Sequence, residues 1–398
     1  MDHAATTPLR REVLAAMTPA LAETFGNPSS VHGAGRAARA LIDTARDQLA
    51  EVLNARPREI VFTGGGSEAD NLALRGVVRR VGHPGGHLII SAIEHEAVLE
   101  TARDLGQLGF EVTELPVDGV GRVSPDALRA ALRPDTLLVS VMLANNEVGT
   151  IEPVRELAQL THGGSRAVFH TDATQALGKL KLDVQELGVD LLTVSAHKIY
   201  GPKGVGALFA RHGIGLDPVI TGGGQERTRR SGTENVPGIV GFGVAAHLAE
   251  AEREQQMERQ TALCAELGRR IRAGVPDAIP TGAPVGERLA NFCTFAFPGA
   301  EGELLLLRLD RAGICGSAGS ACTSGSLAPS HVLLAMGLSP QLSAAHLRLT
   351  LGRSTTVQEV ELAGDLICRE VAALRQGVIA GRAVASFPSP LPGAGRLK

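Results

Sequence analysis

Two short apolar runs enclose a polar turn in residues 190–210, DLLTVSAHKIYGPKGVGALFA. Both runs have the length and the branched side chains that are typical of buried β-strands. Ser195, His197 and Lys198 follow the first run directly, so that strand would deliver them at its carboxyl end. Ligands of open α/β sheets bind at the carboxyl ends of the strands. The stretch therefore predicts a sheet and also the place of its functional site.

The same alternation of apolar runs and helical patterns extends along the first two thirds of the chain. The strand candidates lie at residues 59–63, 87–91, 136–143, 167–170, 190–194 and 204–210. Such alternation favours a parallel or mixed α/β sheet that is covered by helices on both faces.

Near residue 250 the pattern changes to one long charged helix over 251–272, followed by shorter strands and helices. We therefore expect a large domain over 14–250 and a smaller α+β domain formed by 1–13 and 251–384. The last residues, 385–398, are rich in proline and glycine, and we expect them to form a flexible tail.

The composition excludes several classes of protein. Of 398 residues, 39 are Lys or Arg and 42 are Asp or Glu, which gives a net charge of −3 and no basic patch for nucleic acid. No apolar run approaches 18 residues, so we predict no membrane span, and the first residues lack the apolar core of a signal peptide. We expect a cytoplasmic enzyme that binds neither nucleic acid nor membranes.

Cysteine usage argues against disulfides and against a structural metal site. The five cysteines are Cys264, Cys293, Cys315, Cys322 and Cys368, an odd number with no C-x-x-C pair. Cys322 lies in residues 313–326, GICGSAGSACTSGS, where four glycines and four serines predict a mobile, polar loop. A thiol in such a loop fits a reactive cysteine, although a small buried cysteine is the commoner fate. We expect the other four cysteines to pack.

Each strand candidate is followed by chemically useful side chains. The glycine cluster at 64–66 with Ser67 opens a helix and resembles an anion-binding loop, although alone it is equally well a tight turn. His95, Asn146, Asp172 with Gln175, and Lys198 follow the later strands. A lysine and an acid that both lie at strand ends suggest pyridoxal 5′-phosphate, which needs a lysine at its aldehyde carbon and an acid at its pyridine nitrogen.

An arginine in a late apolar run is a candidate for substrate binding. Arg348 alternates with apolar residues in residues 346–353, HLRLTLGR, which places it on one face of a strand together with Thr350. Its guanidinium is suited to a bidentate contact with a carboxylate. A surface ion pair is an equally good interpretation of the pattern alone.

Taken together, these residues resemble the cysteine desulfurases of the NifS/IscS type, which are class V aminotransferases that depend on pyridoxal phosphate. The resemblance extends from residue 2 to about residue 353. The motifs that carry it are DHAATTP at 2–8, FGNPSS at 25–30, EHEAVL at 94–99, NNEVG at 145–149, DATQ at 172–175, SAHKIYGPKGVG at 195–206, RSGTENVPGIVG at 230–241 and GSACTSGSLAPSHVL at 319–333.

The resemblance implies the fold-type I architecture, with a mostly parallel seven-stranded sheet, and a homodimer. It implies that Lys198 binds the cofactor covalently, that His95 stacks on the cofactor ring, and that Cys322 accepts sulfur from L-cysteine. The further cofactor residues that it implies are Gly66, Ser67, Asn146, Asp172, Gln175, Ser195, His197 and Thr233, the last reaching the other subunit. Arg348 and Asn27 would hold the substrate carboxylate, and a sulfur-acceptor protein such as an iron–sulfur scaffold would be the partner.

Two departures from the family pattern are visible. Ser67 stands where many relatives have Thr, and Ala328 stands where Glu is usual. Two alternative functions stay open at this stage. One is a selenocysteine lyase or another class V lyase or aminotransferase. The other is a non-catalytic sulfur or iron–sulfur scaffold that uses Cys293, Cys315 and Cys322.

Overall fold

A seven-stranded sheet dominates the computed structural model, which describes residues 1–81, 85–319 and 329–379. Its strands are β1 Ile60–Thr63, β2 His87–Ser91, β3 Glu111–Leu115, β4 Thr136–Ser140, β5 Val168–Asp172, β6 Leu191–Ser195 and β7 Gly206–Ala210. They lie in the order β1-β7-β6-β5-β4-β2-β3. β7 pairs antiparallel with both β1 and β6, and the other pairs are parallel. The predicted mostly parallel seven-stranded sheet is confirmed.

Both faces of this sheet are covered by helices. In the described residues the helices are α1 Arg11–Ala22, α2 Gly33–Val52, α3 Gly66–Val81, α4 Glu96–Gln107, α5 Pro125–Ala131, α6 Val154–Gly164, α7 Val184–Leu187, α8 Val236–Gly274, α9 Gly302–Arg311, α10 His331–Ala335, α11 Pro340–Ala344 and α12 Val357–Ile379. Short 3-10 turns occupy Pro57–Glu59, Ala196–Lys198 and Gln225–Thr228. None of the helices in this part of the chain has both the length and the apolar character needed to cross a bilayer.

Successive strand residues are buried on opposite faces, which explains why the strands appear as continuous apolar runs. Leu88 and Ile90 pack in a cluster with residues of α3 and α4, whereas Ile89 packs on the other face with residues of α2 and α6. A strand that is buried on both faces is apolar throughout, without the alternation of apolar and polar residues that is typical of a half-exposed strand. β3 is partly exposed at the edge of the sheet. Its polar sequence EVTEL lacks the apolar run that predicts a buried strand.

A second, smaller sheet is formed by β8 Ile279–Pro280, β9 Phe292–Ala296 and β10 His346–Thr350. It packs with the second half of α8, with α9 and with α12 in a separate hydrophobic cluster. The long helix begins at Val236 instead of 251, because the apolar stretch before residue 250 continues it into the core of the large sheet. We keep the division into 14–250 and 1–13 with 251–384 as a proposal. The tail 385–398 lies outside the described residues.

The cysteines differ in their burial. Cys264 and Cys293 are buried in the smaller cluster, and Cys368 is half-buried. Cys315 is exposed, so the prediction that it packs is wrong. The neighbouring Ile314 takes the inward position, and consecutive side chains of an extended segment point to opposite sides. Cys322 lies outside the described residues.

A buried ion pair secures the segment that leads towards Thr233. Arg46 on α2 donates two hydrogen bonds to the Glu226 carboxylate, at 2.9 and 2.6 Å, and Glu226 also accepts the Phe62 backbone N–H at 3.0 Å. Both side chains are about 2% exposed. Glu226 has a positive φ of 45°, which is unfavourable for a residue with a side chain, so these contacts stabilise a strained turn.

Removing one member of this pair should destabilise the protein strongly. Glu226→Ala leaves the Arg46 charge buried without its partner, and we expect a loss of about 3–5 kcal/mol in the free energy of urea unfolding. The double variant Arg46→Met/Glu226→Leu should lose less, because no charge then stays buried. The control Glu100→Ala removes an exposed pair with Arg103 and should change stability by less than about 1 kcal/mol. A loss as small as the control's for Glu226→Ala would contradict this account.

Candidate functional site

A cavity of about 170 Å³ lies at the carboxyl ends of the parallel strands β2, β4, β5 and β6. Ten of the residues predicted from the sequence line it: Gly66, Ser67, His95, Asn146, Asp172, Gln175, Ser195, His197, Lys198 and Arg348. These residues are separated by up to 282 positions in the chain, from 66 to 348, and the fold brings them to one place.

The N-terminus of α3 forms one wall of the cavity. A Cβ atom added to Gly66 would lie 3.2 Å from Thr174 Oγ1 and 3.6 Å from the Ser195 Cβ, so a larger residue would reduce the open space there. The unsatisfied N–H groups and the dipole at the beginning of a 16-residue helix attract an anion. This end of the cavity therefore fits a phosphate group, and Ser67 would add a hydroxyl.

Lys198 lies in the turn that follows β6. Its amine donates hydrogen bonds to the backbone carbonyl oxygens of Ala4 and Ala5, at 2.6 and 2.7 Å. Both carbonyls belong to the N-terminal strip, residues 2–7, which passes the carboxyl ends of the strands. The amine is thus held at the wall of the cavity, where a lysine can form a covalent bond with the carbonyl group of a bound compound.

Asp172 is the last residue of β5, and its carboxylate accepts the Thr174 backbone N–H at 2.8 Å. Gln175, one turn further on, donates to the Ala4 carbonyl at 2.9 Å. An acid on the strand and an amide in the following turn therefore approach the cavity from the same side. This arrangement can hold a pyridine ring, with Asp172 as the partner of a protonated ring nitrogen.

His95 precedes α4 and acts as its N-cap. The Nδ1 atom accepts the Ala97 backbone N–H at 3.1 Å, which assigns the proton of a neutral ring to Nε2. His197 lies in the Lys198 turn and contacts Thr6 Oγ1 through Nδ1 at 3.1 Å. Burial, and then the nearby Lys198 charge, lower the pKa of His197 to about 4. His197 is therefore neutral at physiological pH and can donate a hydrogen bond without adding a charge.

Arg348 reaches the cavity from β10 of the smaller sheet. The guanidinium is buried and donates to the Asn146 carbonyl at 2.7 Å and to the Asp2 carboxylate at 3.0 Å. These two bonds orient the side chain, and its Nε atom is buried without a hydrogen-bond partner. The arginine is therefore a preorganised cation, and its remaining N–H donors, including Nε, can contact a ligand carboxylate.

Unsatisfied buried polar atoms around the cavity indicate that it is shaped for a polar ligand. The atoms without a partner are Asp70 Oδ1, Asn146 Oδ1, Thr174 Oγ1, Gln175 Oε1, Ser195 Oγ and Arg348 Nε. Buried polar groups are normally paired, and each one left unpaired costs free energy. Pyridoxal phosphate offers a phosphate, a ring nitrogen and a phenolic oxygen to such atoms, so the residues present fit this cofactor.

Two of the described residues that were predicted for the site do not line this cavity. Asn27 and Thr233 are exposed and do not line the cavity of their own chain. Cys322 lies outside the described residues. Cys293 and Cys315, the other members of the hypothetical scaffold site, are respectively buried and exposed. Within the described ranges, no cluster of three His, Cys, Asp or Glu residues is suited to a metal ion.

Asp70 of α3 also lines the cavity, although none of the sequence motifs pointed to it. It lies four residues after Gly66, and this helical spacing on one face was a signal that could have found it. Its Oδ1 is 3.7 Å from His170 Nε2, beyond hydrogen-bonding distance. Burial, followed by the charge of Asp172, raises the pKa of Asp70 well above its usual range. Asp70 is therefore a neutral group on this wall of the cavity.

Glu94 is a second buried acid that was missed, directly before His95. Its Oε1 accepts hydrogen bonds from the Ser91 hydroxyl at 2.5 Å and from the Met142 backbone N–H at 2.7 Å. Burial raises the pKa of Glu94 to about 8. The neutral carboxyl ties β2 to the end of β4 and so fixes the loop that carries His95.

Comparison with known proteins agrees with this geometry. The family described as "Aminotransferase class-V" matches residues 1–362. The protein named cysteine desulfurase IscS of Dictyoglomus turgidum is 48% identical over 375 residues, which cover 94% of this chain and 95% of the relative. The protein of the same name from Methanosarcina thermophila is 48% identical over 378 residues, with 94% and 92% covered.

Solved structures show the same similarity. A structure titled "NIFS-LIKE PROTEIN" superimposes with a TM-score of 0.87 at 36% identity, covering 94% of this chain and 98% of that one. A structure titled "SspA in complex with cysteine" gives 0.77 at 36% identity, covering 88% and 97%. The resemblance that the motifs indicated is therefore confirmed over nearly the whole chain.

The pH dependence of stability should reflect the burial of Glu94. Because its pKa is about 8 in the folded protein and 4.5 ordinarily, the folded chain keeps a proton that the unfolded chain releases. This contribution is present in full below about pH 4.5 and is lost as the pH rises through about 8. Glu94→Gln, which stays neutral, should reduce the decline in urea midpoint between pH 5 and 8. An unaltered slope, equal to that of the exposed control Glu100→Gln, would refute this.

Proposed function

Because this chain belongs to the class-V aminotransferase family, we propose that it is a cysteine desulfurase that uses pyridoxal 5′-phosphate to convert L-cysteine into L-alanine. The sulfur is left on Cys322 as a persulfide. The observation that carries the proposal is the placement of Lys198 and Asp172 in one cavity whose remaining polar atoms lack partners. A lysine, an acid and a helix N-terminus at a common cavity meet the three requirements of this cofactor.

Different residues of the cavity would bind different parts of the cofactor. Lys198 would form the covalent bond, Asp172 would pair with the ring nitrogen, and His95 would stack on the ring. Gly66, Ser67, Ser195 and His197 would hold the phosphate at the beginning of α3, and Asn146 and Gln175 would hold the phenolic oxygen. When bound, the cofactor withdraws electrons from the substrate α-carbon, which makes loss of the α-proton possible.

Arg348 and the substrate carboxylate form the second binding interaction. The guanidinium is already oriented by Asp2 and by the Asn146 carbonyl, so little conformational freedom is lost when L-cysteine binds. The same carboxylate is also assigned to Asn27 by the resemblance to the family, although Asn27 does not line the cavity of its own chain. The solved complex of the related SspA with cysteine supports L-cysteine as the substrate class.

Sulfur transfer requires Cys322 as a thiolate, because the thiolate is the nucleophile. It attacks the sulfur of the bound substrate, a sulfur–sulfur bond forms, and the carbon–sulfur bond of the substrate breaks. The electron pair of that bond stays with the carbon, which takes up a proton and leaves as the methyl group of alanine. His95, with its proton on Nε2, and the Lys198 amine are the groups that hold and move protons at the cavity.

The working unit that we propose is a cytoplasmic homodimer that passes its sulfur to an acceptor protein such as an iron–sulfur scaffold. The exposure of Thr233 outside its own cavity supports a role at the phosphate of the other subunit. The four described cysteines are all free thiols, which supports a reducing compartment.

The exchange of Cys322 for alanine separates sulfur transfer from cofactor binding. Purified Cys322→Ala should keep the yellow colour of the bound cofactor, which borohydride bleaches, but should release only background sulfide from L-cysteine with a thiol reductant. The matched control Cys315→Ala removes an exposed thiol seven residues earlier and should retain activity. Sulfide and alanine are measured in parallel.

Two results would contradict the proposal. Turnover of Cys322→Ala equal to that of the wild type would exclude the persulfide and favour a lyase, including a selenocysteine lyase. A colourless wild-type protein that binds iron would favour the scaffold alternative.

Lys198→Ala should bind L-cysteine yet fail to complete repeated turnover, because the amine that exchanges with the substrate and moves the α-proton is absent. Stopped-flow absorbance with cofactor supplied would record binding, and steady-state alanine formation should fall to background. Normal steady-state activity of this variant would show that the lysine assignment is wrong.

A further inference from the structure

A buried carboxyl group lies where the two ends of the segment that carries Cys322 come together. We call residues 320–329 the thiol segment, and the described residues Gly319 and Ser330 flank it. The Ser330 hydroxyl donates to Glu147 Oε2 at 2.5 Å. A Cβ atom added to Gly319 would lie 3.2 Å from the same oxygen and 3.5 Å from the Ser330 Cβ. Glu147 is 1% exposed, so a buried side chain joins the two ends of the thiol segment.

The backbone of Glu147 is held independently of this contact. The Asn145 side chain accepts the backbone N–H groups of Glu147 and Val148, at 2.8 and 3.0 Å, and donates to the Ile93 carbonyl at 3.0 Å. Asn146, which lies between Asn145 and Glu147, lines the candidate cofactor cavity, whereas Glu147 does not. One turn therefore supplies an amide to the cavity and a carboxyl group to the ends of the thiol segment.

The first end of the thiol segment is also bonded to the strand of the substrate arginine. Ser317 and Arg348 exchange two backbone hydrogen bonds, at 3.1 and 2.6 Å, and the Ser317 hydroxyl donates to Asp2 at 3.0 Å. The Ala318 carbonyl oxygen is 2.9 Å from His346 Nδ1 on the same strand. Because Asp2 also orients the Arg348 guanidinium, this end and the arginine share one support.

The second end of the thiol segment is bonded to the loop before α4. Ser330 is the N-cap of α10, and its Oγ accepts the Leu333 N–H at 3.2 Å. The next residue, His331, contacts the Glu94 carbonyl oxygen through Nε2 at 3.0 Å. The contact with Glu147 adds to these bonds a link between the second end and the first.

We propose that Glu147 is a positioning residue for sulfur transfer, because its carboxyl group keeps the two ends of the thiol segment together beside the cavity. The proposal deepens the function proposed above and rests on it, since it concerns the reach of the Cys322 thiol. Cys322 follows Gly319 by three residues, which span at most about 11 Å, so the position of this end limits the reach of the thiol. A displacement of about 1 Å at a reacting group can lower a rate about 100-fold.

The test measures substrate binding and sulfur transfer separately in the holoenzyme. Stopped-flow absorbance records the binding of L-cysteine at the cofactor, and mass spectrometry of quenched single turnovers records the persulfide on Cys322. Glu147→Ala and Ser330→Ala should each slow persulfide formation by about tenfold, because each removes the same hydrogen bond. The absorbance change on binding should keep the wild-type rate in both variants.

Three further variants separate positioning from loss of structure. Ser339→Ala removes the N-cap of α11, whose Oγ accepts the Leu342 N–H at 3.3 Å, and should leave both rates unchanged. Glu147→Gln keeps an oxygen that can accept the Ser330 hydroxyl, so it should recover most of the rate of persulfide formation. The double variant Glu147→Ala/Ser330→Ala should be no slower than the slower single variant, because one bond is lost only once.

Each outcome decides the proposal. Wild-type persulfide formation in Glu147→Ala or in Ser330→Ala would overturn it. An equal loss of substrate binding and persulfide formation, or additive losses in the double variant, would also overturn it, because both describe a general structural role. If Glu147→Ala does not fold, Ser330→Ala decides, since it removes the same hydrogen bond from the other side. A wild-type protein that turns over L-cysteine without a persulfide on Cys322 would instead refute the proposed function, so the two failures are distinguishable.

Discussion

The hydrogen bonds that attach the N-terminal strip, residues 2–7, to the turn after β6 are the interaction on which the site depends. Thr7 N–H donates to the His197 carbonyl oxygen at 3.0 Å, Tyr200 N–H donates to Thr7 Oγ1 at 2.7 Å, and the Lys198 amine donates to the carbonyl oxygens of Ala4 and Ala5. The same strip is bound to β10 of the smaller sheet, where Ala4 N–H donates to Thr350 Oγ1 and Asp2 pairs with Arg348. One short extended segment therefore sets the position of the lysine relative to the arginine.

This arrangement explains why a cavity whose polar atoms lack hydrogen-bond partners persists in the folded protein. Unpaired atoms such as Asn146 Oδ1 and Gln175 Oε1 cost free energy, and they are maintained because rigid elements hold them. The strands that end at the cavity are buried on both faces. The Arg46–Glu226 pair stabilises the strained turn beside β1, at one edge of the sheet. The sheet is thus a stable support for groups that gain partners only when a ligand binds.

The electrostatics of the cavity show a division between charged and neutral groups. Burial lowers the pKa of His197 and raises the pKa of Asp70, which keeps both groups neutral, whereas the Arg348 guanidinium is ion-paired with Asp2. The cation of the cavity therefore lies where a carboxylate is to bind, whereas the histidine at the phosphate end is neutral and can only donate a hydrogen bond.

The sequence by itself determined six of the seven strands of the large sheet and ten of the residues that line the cavity. Apolar runs with polar residues directly after them are local patterns, and parallel strands necessarily bring their carboxyl ends to one edge. Tertiary structure alone decided the burial of Glu94, the exposure of Cys315 and the pairing of Arg46 with Glu226. These depend on which element covers which strand end and which turn. Such contacts join distant parts of the chain, and no local pattern of residues encodes them.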